Sequence, residues 1–120
     1  MKAVFVELPG FARYRADYLD DDAYRRLQLE LMKNPLAGDV MRGCDGLRKI
    51  RFADARRGKG KRGGTRVIYY WQIRADEFWL FTIYDKNDMS DLGEDQRRQF
   101  VEALHHEIQT RQNHETRPVQ

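Results

Sequence analysis

The chain is short of the residues from which most catalytic centres are built. Its 120 residues include one cysteine, three histidines and three prolines. A lone Cys44 makes no internal disulfide and anchors no cysteine-rich metal site, which points to a reducing, cytoplasmic compartment. It lies in a glycine-bearing stretch with no histidine beside it, so nothing marks it as a nucleophile. His105 and His106 are adjacent on a helical stretch and diverge by about 100°, so they cannot share an ion. His114 falls in a polar tail, and all three read as solvated. No apolar run approaches the roughly 20 residues that cross a bilayer. One lysine ahead of a short apolar stretch that ends at Glu7 and Pro9 does not read as a signal peptide. Gly58-Lys59-Gly60-Lys61-Arg62-Gly63-Gly64 lacks the spacing of a phosphate-cradling loop that ends in Gly-Lys-Ser/Thr. No metal or cofactor is therefore expected.

Enough apolar material is present for one core. Hydrophobic residues make up 41% of the chain and aromatics 12%, against 34% charged and a mean hydropathy of −0.83. That is too apolar for a disordered chain and sized for a single domain. The expected domain spans residues 1–111, with a polar tail over 112–120. Net charge is only +3, but it is concentrated. Residues 48–66 hold nine basic side chains and one acid, Asp54, so this segment carries +8 and the remainder −5. A basic block on a mildly acidic body suggests a polyanion partner, nucleic acid first.

Ala3-Val4-Phe5-Val6-Glu7 reads as a short strand. Pro9 suits a first helical turn, and Phe11, Tyr14 and Tyr18 recur at helical spacing over 10–18. Asp20, Asp21 and Asp22 supply a cap and first-turn acids for a second helix. Its buried stripe is Tyr24, Leu27 and Leu31, and Asn34-Pro35 stops it. Residues 36–46 read as loop. Alternation over 47–53 puts Arg48, Ile50 and Phe52 on one face and Lys49 and Arg51 on the other. Residues 54–64, with four glycines among basic residues, read as a mobile loop. Strands follow over 65–72 and 78–84, joined by a polar turn at Arg74–Glu77. A last helix runs from about Glu94 to Arg111 on Phe100, Val101, Leu104 and Ile108. The order β-α-α-β-β-β-α predicts an α+β fold in which an antiparallel sheet packs against helices. The acids near Asp20–Asp22 and Asp88–Asp95 sit at helix starts and read as caps rather than as acid–base pairs.

The basic block has a plain reading as a solvated loop. Its strand-borne members argue for more. Lys49 and Arg51 project from one face, Arg66 opens the facing strand, and Lys86 ends the next. Four cations converging on one face are costly without an anion, and arginine's two-pronged donor array matches a phosphate. Tyr84 and Tyr70 offer aromatic surface near that face for an unpaired base, although a strand tyrosine is more often core.

Several stretches together resemble the RelE/ParE superfamily of bacterial toxins, specifically its HigB-type branch. They are Val4-Phe5-Val6-Glu7, the run from Tyr18 to Arg25, Leu27-Gln28 with Glu30-Leu31-Met32 and Asn34-Pro35, Gly38-Asp39-Val40, Gly46-Leu47-Arg48-Lys49-Ile50-Arg51, Gly58 to Gly64 with Arg66-Val67-Ile68-Tyr69-Tyr70, and Leu80 to Lys86 with Asp91-Leu92. The resemblance implies a RelE-like fold and the toxin of a type II toxin–antitoxin system that cleaves messenger RNA on the translating ribosome. Its implied partners are mRNA, ribosomal RNA and a cognate HigA-like antitoxin with a helix-turn-helix domain, with no membrane. It matches Lys49 and Arg51, Arg66 and Lys86 to the basic positions of the RelE pattern. One departure stands out: where some RelE toxins carry a C-terminal tyrosine that assists catalysis, this chain has Leu92 or its neighbours, and Tyr84 becomes the substitute.

The chemistry this suggests is metal-independent: the substrate's own 2′-hydroxyl attacks the adjacent phosphate. Without a His/Glu pair, the protein's share is electrostatic, with Arg51 and Arg66 facing the developing charge. Substrate positioning then matters greatly, and a ribosome can supply it. Arg48, Arg56, Arg57, Lys59, Lys61 and Arg62, with Tyr70, are the expected RNA and ribosome contacts. Two other readings stay open: a ParE-like toxin that inhibits DNA gyrase by protein contact, and an RNA-binding domain without chemistry.

Overall fold

Pro9 opens α1 (Pro9–Tyr18) at a position whose missing N–H costs nothing. Asp20 caps α2 (Asp21–Lys33), its Oδ1 accepting from the Ala23 N–H at 2.7 Å. The acids of the Asp20–Asp22 cluster are therefore helix-start residues, as expected. Arg15 ties the two helices together. Its Nη1 donates to the Leu19 carbonyl at 3.1 Å and lies 3.0 Å from Asp21 Oδ1, while its guanidinium sits over the Tyr24 ring. The structure, a computed structural model, describes residues 2–52, 64–85 and 93–116, with side chains of the last helix as far as Arg111.

Among the described residues the strands are β1 (Val4–Glu7), β2 (Asp39–Val40), β3 (Arg48–Phe52), β4 (Thr65–Gln72) and β5 (Glu77–Asp85), followed by α3 (Glu94–Thr116). They form one sheet in the order β1-β5-β4-β3-β2. The expected α+β architecture is present, with an antiparallel β3-β4-β5 centre. Three details go beyond the sequence expectation. β1 joins β5 in parallel, Phe5 opposite Phe78, so the whole sheet is mixed. The two-residue β2, inside a stretch that reads as loop, adds an edge to β3. α3 also runs past Arg111 to Thr116.

Helices cover both sides of the sheet. On one side α1 and α2 bury Phe11, Leu19, Leu27 and Leu31 against Ile50, Val67, Tyr69, Phe78, Leu80 and Ile83. Contact there is close: a Cβ on Gly10 of α1 would lie 2.9 Å from the Phe81 carbonyl oxygen. On the other side Leu104, with Phe100, Val101 and Ile108 of α3, packs in a cluster with Ile68, Trp79, Phe81 and Tyr84. The register of β4 against β5 shifts between Ile68, opposite Thr82, and Tyr69, opposite Leu80. The residue passed over is Phe81, and this bulge lets Phe81 join the α3-side cluster while Leu80 and Ile83 serve the other side. Two-sided burial plus the bulge explains why residues 78–84 read as a nearly continuous apolar run.

Tyr69 fixes the chain between α2 and β3. Its hydroxyl donates to the Pro35 carbonyl at 2.8 Å and accepts from the Gly38 N–H at 3.0 Å. Gly38 has no room for a side chain, since a Cβ would stand 2.8 Å from the Tyr69 ring. Burial is the main cause of an upward shift in the Tyr69 pKa. Burial, and then the hydrogen bond to Glu7 Oε2 at 2.9 Å, raise that of Tyr24 as well.

Candidate functional site

Strand register places three of the expected residues in one row. Arg51 of β3 lies opposite Arg66 of β4, and Arg66 opposite Tyr84 of β5. Paired residues share a face, so all three project to the α3 side, and the row spans about 10 Å across two strand spacings. Lys49, two residues before Arg51, stands on the same face opposite Ile68 and Asp39. Ile50 and Phe52 point the other way, into the core beneath α1 and α2. Period-two alternation thus separates a cationic face from an apolar one within five residues.

The environments of the row differ from a plain solvent face. Arg51 is exposed and Lys49 half-buried. Arg66 is only 4% exposed, and its Nη1 donates to the Gly64 carbonyl at 2.7 Å. Tyr84 is buried too, as a member of the α3-side cluster. Arg66 is therefore seated in the sheet, although Arg51 opposite it is exposed. Thr65 and Asp85 close the same end of the sheet and are also buried. A guanidinium held in this way is preorganised, which suits charge stabilisation better than a swinging surface side chain does.

Two expected nucleic-acid contacts lie elsewhere. Arg48 faces away from the row: its Nη1 donates to the Gly38 carbonyl at 2.8 Å and the Leu36 carbonyl at 3.4 Å, stapling the loop before β2. Tyr70 shares the face of Arg66 but stands about 13 Å along the strand, its ring tilted against Trp79 at 5.3 Å between centroids. Lys86, Leu92, Arg56, Arg57, Lys59, Lys61 and Arg62 lie outside the described residues.

The structure also joins residues that sequence reading left apart. Arg97 Nη2 donates to the Arg42 carbonyl at 2.7 Å, docking the start of α3 on the turn 41–47. His105, which reads as a solvated helix residue, has Nε2 2.7 Å from Asp45 Oδ2. Arg111 lies over the Trp79 ring and 3.5 Å from Glu77 Oε1. These three contacts lay α3 across the end of the sheet where β3 begins and the β4–β5 hairpin turns. The Arg51–Arg66–Tyr84 row stands at the opposite end. No local sequence signal marks pairs separated by 34 to 60 positions. Among the described residues, no three His, Cys, Asp or Glu side chains gather as a metal site would require.

The fold has a counterpart among solved structures. The E. coli toxin RelE, determined in the free state as a double arginine-to-alanine mutant, superposes with a TM-score of 0.50 at 14% identity, over 75% of this chain and 90% of RelE. The fold is RelE-like. No protein-family model matches the chain. At that identity the shared property is the fold alone.

Proposed function

We propose that this chain is the toxin of a type II toxin–antitoxin system, of HigB type, and acts as a ribosome-dependent endoribonuclease on messenger RNA. The observation that carries this reading is the row of Arg51, Arg66 and Tyr84, with Lys49 beside it, on a RelE-like sheet. The structural neighbour is itself a toxin. The resemblance of the chain to HigB-type toxins over most of its length supports the same reading.

In the proposed reaction the 2′-hydroxyl oxygen attacks the adjacent phosphorus in line. The new P–O2′ bond forms as the P–O5′ bond breaks, and the proton lost from the 2′-oxygen is balanced by one gained on the 5′-oxygen. The products are a 2′,3′-cyclic phosphate and a 5′-hydroxyl end. Arg51 and Arg66 stabilise the charge that builds on the phosphoryl oxygens. Lys49, with Lys86 one residue past β5, brings further positive charge, and Tyr84 lines the row. Among the described residues the row holds no His/Glu pair, so rate depends on how well the RNA is positioned, and the ribosome provides that positioning. In this reading the basic residues of 56–62 contact ribosomal RNA, where each neutralised phosphate makes binding salt-sensitive. A cognate antitoxin with a helix-turn-helix domain holds the protein inactive.

Mapping transcript 5′ ends after brief induction tests the reading. New 5′-hydroxyl ends inside translated frames, absent on induction of Arg51→Ala, are expected. Unchanged transcripts together with gyrase-linked DNA damage would replace this reading with gyrase inhibition.

A further inference from the structure

Between the turn 41–47 and the first turns of α3 lies a pocket of about 520 Å³ whose walls include Arg42, Arg97, Arg98, Glu94, Cys44 and Val101. Neither Arg42, Arg97 nor Arg98 belongs to the cation row or to the basic block at 48–66. We propose that this pocket is a nucleotide subsite, taking one phosphate with its sugar and base.

The walls are preformed. The turn is closed by hydrogen bonds from Met41 N to the Leu47 carbonyl at 2.8 Å, and from Leu47 N to the Cys44 carbonyl at 3.1 Å. Gly43, on the rim, has φ +72°, and a Cβ there would meet nothing within 4 Å, so the mouth is open. The helix wall is pinned by Arg97, whose guanidinium reaches the Arg42 carbonyl. Three arginines therefore line one cavity against one lining carboxylate, Glu94. A second acid, Asp95, lies 3.7 Å from Arg98 on the exposed helix surface.

Arginine forks match phosphate oxygens. Glu94 offers an acceptor for a ribose hydroxyl, and buried Cys44 with half-buried Val101 gives the base an apolar wall. The volume falls in the range of about 300–1,000 Å³ usual for small-molecule sites. The phosphate belongs either to a free nucleotide or to an RNA strand that continues along the α3 side of the sheet toward Arg51. Only the strand form rests on the RNA-cleavage reading.

The test titrates purified full-length protein with adenosine, adenosine 5′-monophosphate and an RNA hexanucleotide. Three variants accompany it: Arg42→Glu/Arg98→Glu, Arg51→Ala, and Arg13→Glu/Arg25→Glu. The last changes net charge equally on the exposed outer surface of α1 and α2. The pocket pair is expected to weaken the monophosphate and the hexanucleotide at least tenfold, while the control pair weakens both much less. Arg51→Ala should weaken the hexanucleotide alone, the mark of a strand that reaches the row. A hexanucleotide that binds far more tightly than the monophosphate supports the strand. Equal affinity supports a free nucleotide. If Arg51→Ala leaves the hexanucleotide unchanged while the pocket pair loses it, the subsite stands and the cleavage reading loses its support. Adenosine binding as tightly as its monophosphate, or a folded pocket pair no weaker than the control pair, overturns the subsite. Arg42→Gln/Arg98→Gln repeats the measurement without charge reversal if the glutamates disturb the fold.

Discussion

The two faces of the sheet answer to different demands. Beneath α1 and α2, buried apolar side chains line β3, β4 and β5 from Ile50 to Ile83. On the other face α3 covers one end, over Ile68, Trp79 and Phe81, and the opposite end carries Arg51 and Arg66 in register. The first face is closed because two helices lie on it. The second is shared because one helix, docked through Arg97, His105 and Arg111, crosses only part of it. A small domain thus keeps an apolar core on one side and, on the other, a polar row in which Arg66 and Tyr84 are buried and Arg51 is exposed.

The largest effect expected from breaking that contrast is in the closed face. Phe78 is fully buried and stacks on Phe5 at 4.8 Å and against Trp71 at 4.5 Å. Phe78→Ala should cost about 3–5 kcal/mol, measured as a lower urea midpoint, with growth inhibition lost through unfolding.

On the shared face the loss should be of activity. Arg51→Ala should lower cleavage on ribosomes by about a hundredfold while moving stability by less than about 0.5 kcal/mol, as expected of an exposed side chain. Arg66→Ala should lose at least as much activity. Because Arg66 is buried and bonded to Gly64, it should also cost stability, about 1.5–3 kcal/mol. Single-turnover cleavage and denaturation on the same preparations separate the two effects. Equal stability for both variants would sink the distinction drawn between an exposed and a seated arginine.

Tyr69→Phe tests the closed face without making a cavity. It removes a hydroxyl that bridges the Pro35 carbonyl and the Gly38 N–H, and should cost about 1–3 kcal/mol by chemical denaturation, with cleavage by the folded fraction unchanged. The smallest effect should appear at alkaline pH. Tyr24 has its pKa raised above the ordinary 10.0 by burial and by Glu7. The folded state therefore holds that proton more tightly than the unfolded one. Its contribution is complete below pH 10 and is lost as pH rises toward the folded value. Tyr24→Phe should flatten the fall of melting temperature above pH 10, and an unchanged slope would remove Tyr24 as its cause.

Much of this was legible because it is local. The Asp20 cap, Pro9 at a helix start and the stripe of Tyr24, Leu27 and Leu31 are set by spacings within a few residues. The cationic face of β3 follows from alternation alone. Alternation puts Arg48 on the other face of that strand, but its partners, Gly38 and Leu36, lie in a loop whose path no periodicity records. Tyr70 is a related case: alternation identifies its face but not its distance from Arg66 along the strand. The bulge at Phe81 has no sequence mark that separates it from an ordinary buried strand.

The sequence by itself determined the element order, the concentration of charge at 48–66 and the segregation of Lys49 and Arg51 from Ile50 and Phe52, since each depends on neighbours along the chain. Only the tertiary structure decided that Arg51, Arg66 and Tyr84 form one row, that Arg66 is buried, and that Arg42 meets Arg97 across 55 positions. Those outcomes depend on strand register and on where α3 comes to rest. Both are settled by packing between distant segments, which minimises exposed apolar surface over the whole domain rather than along any one stretch.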